Sequence, residues 1–401
     1  MTINLAYSAA VTALAERTRA FVRDRILPIE DSCDGDIARA GGDKVRLSMQ
    51  HAAREAGIFA PHAHSEYGGA GLSMSDRAPV FEAAGYSLFG PTALNIAAPD
   101  EGNVHLLAHV ADHQQKERFL RPLATGAVRS AFAMTEPSPG AGSDPAALRT
   151  TATRTPRGWR IDGRKWFITG ADGAAFFIVM ARTSGSPGDR GGATMFLADA
   201  SSPGITVGRH LRTLDSSMLG GHCEVVFDGL LVPPEAVLGD VDDGFAYAQV
   251  RLGPARMTHV MRWLGAARRA HDVALEYVAH REAFGSRLGH LGMTQEMIAD
   301  NEIDLAATRA LMIKACWELD AGSPAAEETA IAKCFAAEAV CRVIDRSVQM
   351  CGATGVSDEL PIARLARESR PFRIYDGPSE VHRWALAKRA LRRIQQTQPS
   401  A

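Results

Sequence analysis

Ile374-Tyr375-Asp376-Gly377-Pro378-Ser379-Glu380-Val381-His382-Arg383, near the end of the 401-residue chain, decides how the rest of the sequence is read. Alone it is a turn: Asp, Gly and Pro each favour one, for separate backbone reasons. Three upstream segments, in order, give it another meaning. They are Met134-Thr135-Glu136-Pro137, then Gly140-Ala141-Gly142-Ser143-Asp144, then Lys165-Trp166-Phe167-Ile168-Thr169-Gly170. The set combines an extended segment, a Gly/Ser loop, a segment with adjacent aromatic residues and a carboxylate on a turn.

Around these segments the texture changes twice. Residues 1–128 read as a helical domain, with apolar residues three and four apart over Leu5–Ile26, Asp43–Ala56 and Met74–Ala84. Residues 129–241 read as a β-domain. Strands are expected at Leu148–Arg154, Trp159–Lys165, Phe176–Met180 and Ala193–Ala198, the last two joined by a hairpin loop over Thr183–Gly192. Residues 242–401 return to helical periodicity over Ala255–Arg281, Met293–Ala321, Ala325–Cys351 and Pro378–Arg393, lengths that need a bundle to bury their apolar stripes. Gln395–Ala401 read as disordered.

Composition limits the partners. A net charge of −2 gives no electrostatic case for nucleic acid. The basic run of Lys388, Arg389, Arg392 and Arg393 suits a helix C-terminus, where cations complement the dipole. No apolar run reaches the length of a membrane span. Six scattered cysteines without a Cys-x-x-Cys pair fit reduced thiols, so a cytoplasmic location is expected. His105, His109 and His113 recur every four residues but lack an accompanying carboxylate motif, so no metal is expected.

The ordered motifs resemble the acyl-CoA dehydrogenase family. The resemblance implies a mainly α fold with a central β-barrel or sandwich domain between an N-terminal helical domain and a C-terminal four-helix bundle. It also implies bound FAD. Phe132, Met134 and Thr135 would meet the flavin ring edge, Gly142 and Ser143 would approach cofactor and substrate, and Phe167, Ile168 and Thr169 would form a wall and a hydroxyl contact near N5. Arg281 and Phe284 match the pattern that reaches the pyrophosphate of a neighbouring subunit. Gln349, Gly352 and Ala353 match the adenosine segment, and Leu288, Pro378 and Glu380 complete the cofactor set. A homo-oligomer follows, expected to be a dimer of dimers.

The implied reaction is α,β-dehydrogenation of an acyl-CoA thioester. Loss of the weakly acidic α-proton requires a desolvated carboxylate, and the developing enolate requires donors. By resemblance Asp376 is the base, with hydride passing to flavin N5 and electrons to an electron-transfer flavoprotein. Tyr375, Gly377, Arg256, Phe245, Glu101 and Ser143 match substrate-side positions. Ala255 occupies the helix position where some relatives carry a glutamate base, leaving Asp376 as the candidate. Departures from the family pattern are the extra Ser138-Pro139, Ala353 in place of a glycine, and Leu291-Gly292 in place of a His-Gln pair. An oxidase on the same fold, acting on acyl-CoA or nitroalkanes, and a non-catalytic partner subunit remain alternatives.

Overall fold

A computed structural model describes residues 6–397, which gather into two compact units. The described residues of Met1–Asp36, Leu72–Pro91 and Gly253–Ala401 form one unit, and those of Ile37–Gly71 and Thr92–Leu252 the other.

The first unit is helical. Its N-terminal helix runs over Ala9–Phe21, capped by Ser8, whose hydroxyl accepts from the Val11 N–H at 3.2 Å. It passes through a π-turn, Val22–Ile26, into Leu27–Asp31. The helix predicted to start at Leu5 therefore starts later, and Leu5 itself lies outside the described residues. Long helices follow over Gly244–His280, of which residues 253–280 belong to this unit, and over Gly292–Asp320, Ala326–Gly355 and Ser379–Thr397. The first begins eleven residues before its expected Ala255 start, carrying Pro254 inside it. The last extends through Gln395–Thr397, correcting the expected disorder there; residues 398–401 lie outside the described residues.

Close approach sets the packing of Met74–Gly85 against the Gly244–His280 helix. A Cβ at Gly85 would sit 2.0 Å from the Arg262 carbonyl oxygen, and one at Gly265 would sit 2.1 Å from that of Glu82. Only glycine lets the two backbones meet. Leu264, Ala267, Ala270 and Ala274 continue that helix into a core shared with Leu305, Val340, Val343, Ile344 and Leu365. A buried carboxylate ties the N-terminal helices to this core. Glu30 accepts from Arg269 at 2.6 Å, from the Ser87 hydroxyl at 2.5 Å and from the Leu88 N–H at 2.8 Å.

The second unit is organised on an eight-stranded sheet. Its strands are β1 (Ser130–Ala133), β2 (Thr151–Thr155), β3 (Gly158–Thr169), β4 (Phe176–Arg182), β5 (Ala193–Asp199), β6 (Ile205–His210), β7 (His222–Val232) and β8 (Val237–Leu238). The order is β6-β7-β3-β2-β4-β5-β8, with β1 pairing parallel to β4. Strand β4 is buried at every position, as a continuous apolar run should be. The β4–β5 hairpin closes across the predicted loop through Thr183 N–H to Gly192 O at 2.8 Å. Strand β2 begins at Thr151 rather than Leu148, and β3 runs four residues past Lys165 to Thr169. The sequence reading places no strand at β6, β7 or β8. Strand β6 has no buried residue to show a pattern, whereas β7 buries Cys223, Val225 and Phe227 in alternation.

Candidate active site

In the helical unit Asp376 sits on its turn with φ +53°, a left-handed conformation uncommon outside glycine, followed by Gly377 at φ +97°. The surroundings over-determine this backbone. Arg256 Nε donates to the Asp376 carbonyl at 3.0 Å, His382 Nε2 lies 3.3 Å from the same oxygen, and Lys333 Nζ donates to the Gly377 carbonyl at 2.6 Å. Strain of this kind persists only where neighbours hold it, and it concentrates at functional sites.

The Asp376 carboxylate faces His259, with Nε2 to Oδ2 at 3.3 Å. Arg262 contacts the other ring nitrogen, Nδ1, at 2.9 Å. A guanidinium can only donate, so Nδ1 accepts and the proton of a neutral His259 lies on Nε2, toward Asp376. Tyr375 stacks obliquely on His259, with ring centroids 4.8 Å apart, and its hydroxyl takes a hydrogen bond from Trp263 Nε1. Burial lowers the Arg256 pKa against the opposing pull of Asp376. Burial also brings Lys333 down to about 8, with Asp376 resisting and Arg256 assisting.

Burial, with Arg256 and Lys333 nearby, pushes His382 down to about 4. The unfolded chain therefore binds more protons than the folded one between about pH 6.5 and 4. Stability from this group is full above pH 6.5 and drains as pH falls through 4. Replacing His382 by Gln should flatten acid destabilisation in that window by about 3 kcal/mol, readable in urea midpoints taken at pH 7 and pH 4.

In the sheet unit the three upstream motifs converge. Lys165, wholly buried, reaches the Glu136 carboxylate at 3.0 Å and the Met134 carbonyl at 3.0 Å. Glu136 also accepts from the N–H groups of Ala141, Arg149 and Thr150 at 3.2, 2.8 and 2.8 Å. Burial would raise the Glu136 pKa, but Lys165 and these donors hold it below the usual carboxylate value. Burial brings Lys165 down to about 8 despite Glu136. The Thr-Glu-Pro segment, the Gly/Ser loop and the aromatic strand are thus fastened by one buried pair.

Beside that pair, Trp166 N–H donates to the Thr135 carbonyl at 2.9 Å, and the Thr135 hydroxyl donates back to the Trp166 carbonyl at 2.5 Å. No hydrogen bond among the described residues takes up the Thr135 N–H. A bulge between Lys165 and Ile168 turns Phe167 to φ +53° and leaves its ring half exposed. Ile168 points into the sheet core, so any contact it makes with a ligand is through its main chain. Gly142 and Ser143 are exposed, and open space surrounds the Gly142 Cα. An available N–H, an exposed aromatic face, a hydroxyl at Thr169 and an open glycine loop are the donor set and shape that a flavin ring requires.

The remaining residues read from the sequence divide between the units. Phe132 stacks under the Arg251 guanidinium at 4.3 Å, Glu101 is buried and Phe245 is half buried, all in the sheet unit. In the helical unit Arg281 is exposed, Phe284 is 94% exposed at φ +54°, and Leu288 is half buried. Gln349 and Ala353 are exposed either side of a helix kink at Gly352, whose φ of +56° breaks the α conformation. Pro378 is half buried and Glu380 is exposed.

Sequence reasoning missed His259, Lys333 and His382 around Asp376, and His222 and Asp215 beside Thr169. His259, Lys333, His222 and Asp215 carry no motif, and His382, though it stands in the terminal segment quoted above, shows its approach to the Asp376 carbonyl only in the folded chain. The alternation through β7 offers the one local signal, since it pairs His222 with Thr169. Among the described residues no group of three or more His, Cys, Asp or Glu could hold a metal ion, and His105 and His109 instead stack on one another.

Three family models cover most of the chain: the N-terminal domain of acyl-CoA dehydrogenases over residues 8–127, the middle domain over 131–230 and the C-terminal domain over 242–391. The chain belongs to the acyl-CoA dehydrogenase family, a family of flavin-dependent oxidoreductases whose members bind FAD. It is similar to FadE2 of Mycobacterium tuberculosis, named a probable acyl-CoA dehydrogenase, at 36% identity over 98% of each chain. It is 32% identical to mouse acyl-CoA dehydrogenase family member 11 over 94% of its own length, which spans about half (49%) of that longer relative. Among solved structures it resembles butyryl-CoA dehydrogenase from Megasphaera elsdenii, with a TM-score of 0.85 at 28% identity, covering 98% of this chain and 100% of that one.

Proposed function

We propose that the protein dehydrogenates an acyl-CoA thioester between its α and β carbons, with Asp376 as the base that removes the α-proton. The observation that carries the reading is the Asp376 turn, held in a left-handed conformation by Arg256, His382 and Lys333. A turn serving only to reverse the chain has no need of three such anchors. Aspartate is one methylene shorter than glutamate, so its placement depends on the backbone, and these anchors fix that backbone.

FAD, when bound, supplies the acceptor for two electrons and the β-hydrogen. The chain's own residues do the rest. Thr135, Met134, Phe132, Gly142, Ser143, Phe167, Ile168 and Thr169 hold the ring and adjoining substrate. Arg281 and Phe284 would reach the pyrophosphate of a neighbouring subunit's cofactor, and Leu288, Gln349, Gly352, Ala353, Pro378 and Glu380 would hold the remainder of the cofactor. Tyr375 walls the thioester, Gly377 leaves room for it, and Arg256 fixes the loop, with Glu101 and Phe245 toward the acyl group. Electrons leave to an electron-transfer flavoprotein.

A dimer of dimers is supported by large apolar residues that a single chain leaves exposed in its helical unit, including Phe284, Met293, Trp384 and Leu391. Six cysteines without a disulfide support a reducing, cytoplasmic location. No described helix is long and apolar enough to cross a membrane.

Anaerobic titration of the bound flavin with acyl-CoAs of differing chain length and branching tests the proposal. Bleaching with formation of the enoyl thioester is expected. Bleaching by a nitroalkane and by no thioester would replace the proposal with an oxidase reading. A chain that takes up no flavin without a second polypeptide would be a partner subunit.

A further inference from the structure

Thr169 closes β3 directly opposite His222 at the start of β7, so their side chains share one face of the sheet. Thr169 Oγ1 lies 2.9 Å from His222 Nδ1, and His222 Nε2 lies 2.8 Å from Asp215 Oδ2. The chain of contacts is well shielded: the side chains of His222 and Asp215 are 16% and 11% exposed. Neither the dehydrogenation proposed above nor the family motifs involve His222 or Asp215.

With His222 neutral, proton counting fixes the direction of these bonds. Burial raises the Asp215 pKa, but hydrogen bonds from His222 and Thr213 hold it below its ordinary value, so the carboxylate is ionised and can only accept. His222 Nε2 must then carry the proton. In neutral His222 the lone pair lies on Nδ1, and the Thr169 hydroxyl must donate to it. With its one proton committed, Thr169 offers only lone pairs to a ligand. Nearby charges do not disturb this assignment, because His210 and Asp172 pair with each other at 3.2 Å, and Arg129 is bound to Asp43 and to the Gly170 and Asp172 carbonyls.

We propose that Asp215 and His222 make the Thr169 hydroxyl a fixed hydrogen-bond acceptor that favours the reduced flavin, and so act as positioning residues for the flavin's redox poise. The proposal rests on the reading above that Thr169 meets the flavin near N5. Oxidised flavin presents a lone pair at that nitrogen, whereas two-electron reduction with proton uptake places an N–H there. An acceptor-only hydroxyl complements the N–H and opposes the lone pair. Without His222 the hydroxyl can turn and donate, and the preference for the reduced form is lost.

Two readouts other than turnover test this. In the flavin-free protein, nitrogen NMR of labelled histidine should show the His222 proton on Nε2 and none on Nδ1. In the FAD-loaded protein, equilibrium dye titration should show His222→Leu lowering the reduced-to-oxidised ratio about tenfold at fixed potential, about 30 mV for a two-electron couple. His222→Asn, which keeps an acceptor near the Nδ1 position, should stay close to wild type. Thr169→Val should match His222→Leu, and the double variant should fall no further. A proton on Nδ1, or equal potentials in the Leu and Asn variants, would overturn the proposal. If the Leu variant sheds FAD, the Thr169→Val comparison and the NMR result decide. Failure of thioesters to bleach the flavin would sink the dehydrogenase reading and leave these two readouts standing.

Discussion

Asp376→Asn should greatly slow thioester-driven flavin reduction while leaving bound FAD in place. Asparagine matches aspartate in volume and can keep the main-chain contacts with Arg256 and His382, since both engage the residue's carbonyl rather than its side chain. What it removes is the capacity to accept a proton. A positioned general base contributes about 100- to 10,000-fold, so the first-order rate of flavin bleaching under anaerobic mixing should fall by that range. The absorbance spectrum before mixing reports whether flavin is retained, separating loss of chemistry from loss of the site. A variant that reduces at near wild-type rate would remove Asp376 from the mechanism.

The second large effect is on stability. Lys165→Met should destabilise the sheet unit by about 3–5 kcal/mol, because it strands the Glu136 carboxylate in a buried position. Methionine fills much of the lysine volume, so the loss is chiefly electrostatic. The three N–H donors to Glu136 remain and soften the penalty. Replacing both partners, Lys165→Met with Glu136→Gln, should recover part of the loss, since no buried charge is then uncompensated. Chemical denaturation followed by tryptophan fluorescence measures both, Trp159 and Trp166 lying on β3. Equal stability of Lys165→Met and wild type would mean the pair does not fasten the motifs.

The parts of this fold that could be read from sequence are those with a period. The long helices were visible in their apolar spacing, and β4 and β5 as short apolar runs either side of a glycine-rich loop. The reading faltered where burial is one-sided or absent. Strand β6 has no fully buried position and carries no alternation, and the start of the Gly244–His280 helix is masked by Gly253-Pro254, residues that ordinarily break helices. The same division holds at the site. Asp376 and Thr135 stand in motifs whose order along the chain carries information. Lys165 stands in a motif too, but its burial against Glu136, 29 residues earlier, shows only in three dimensions. His259 and His382 reach Asp376 from separate helices, and Asp215 reaches His222 from a loop seven residues away. Nothing local marks a residue whose role is created by the residue it meets.

The most direct test of the account is solvent-deuterium exchange at the α-carbon of an acyl-CoA whose β-position has no hydrogen to give, such as a 3-thia analogue. The flavin-loaded wild-type protein should wash deuterium into the α-position, because proton removal by Asp376 needs no electron transfer to follow it. Asp376→Asn, with equal flavin content, should show none. Equal exchange in both proteins would contradict the assignment of the base, and with it the mechanism built on that turn.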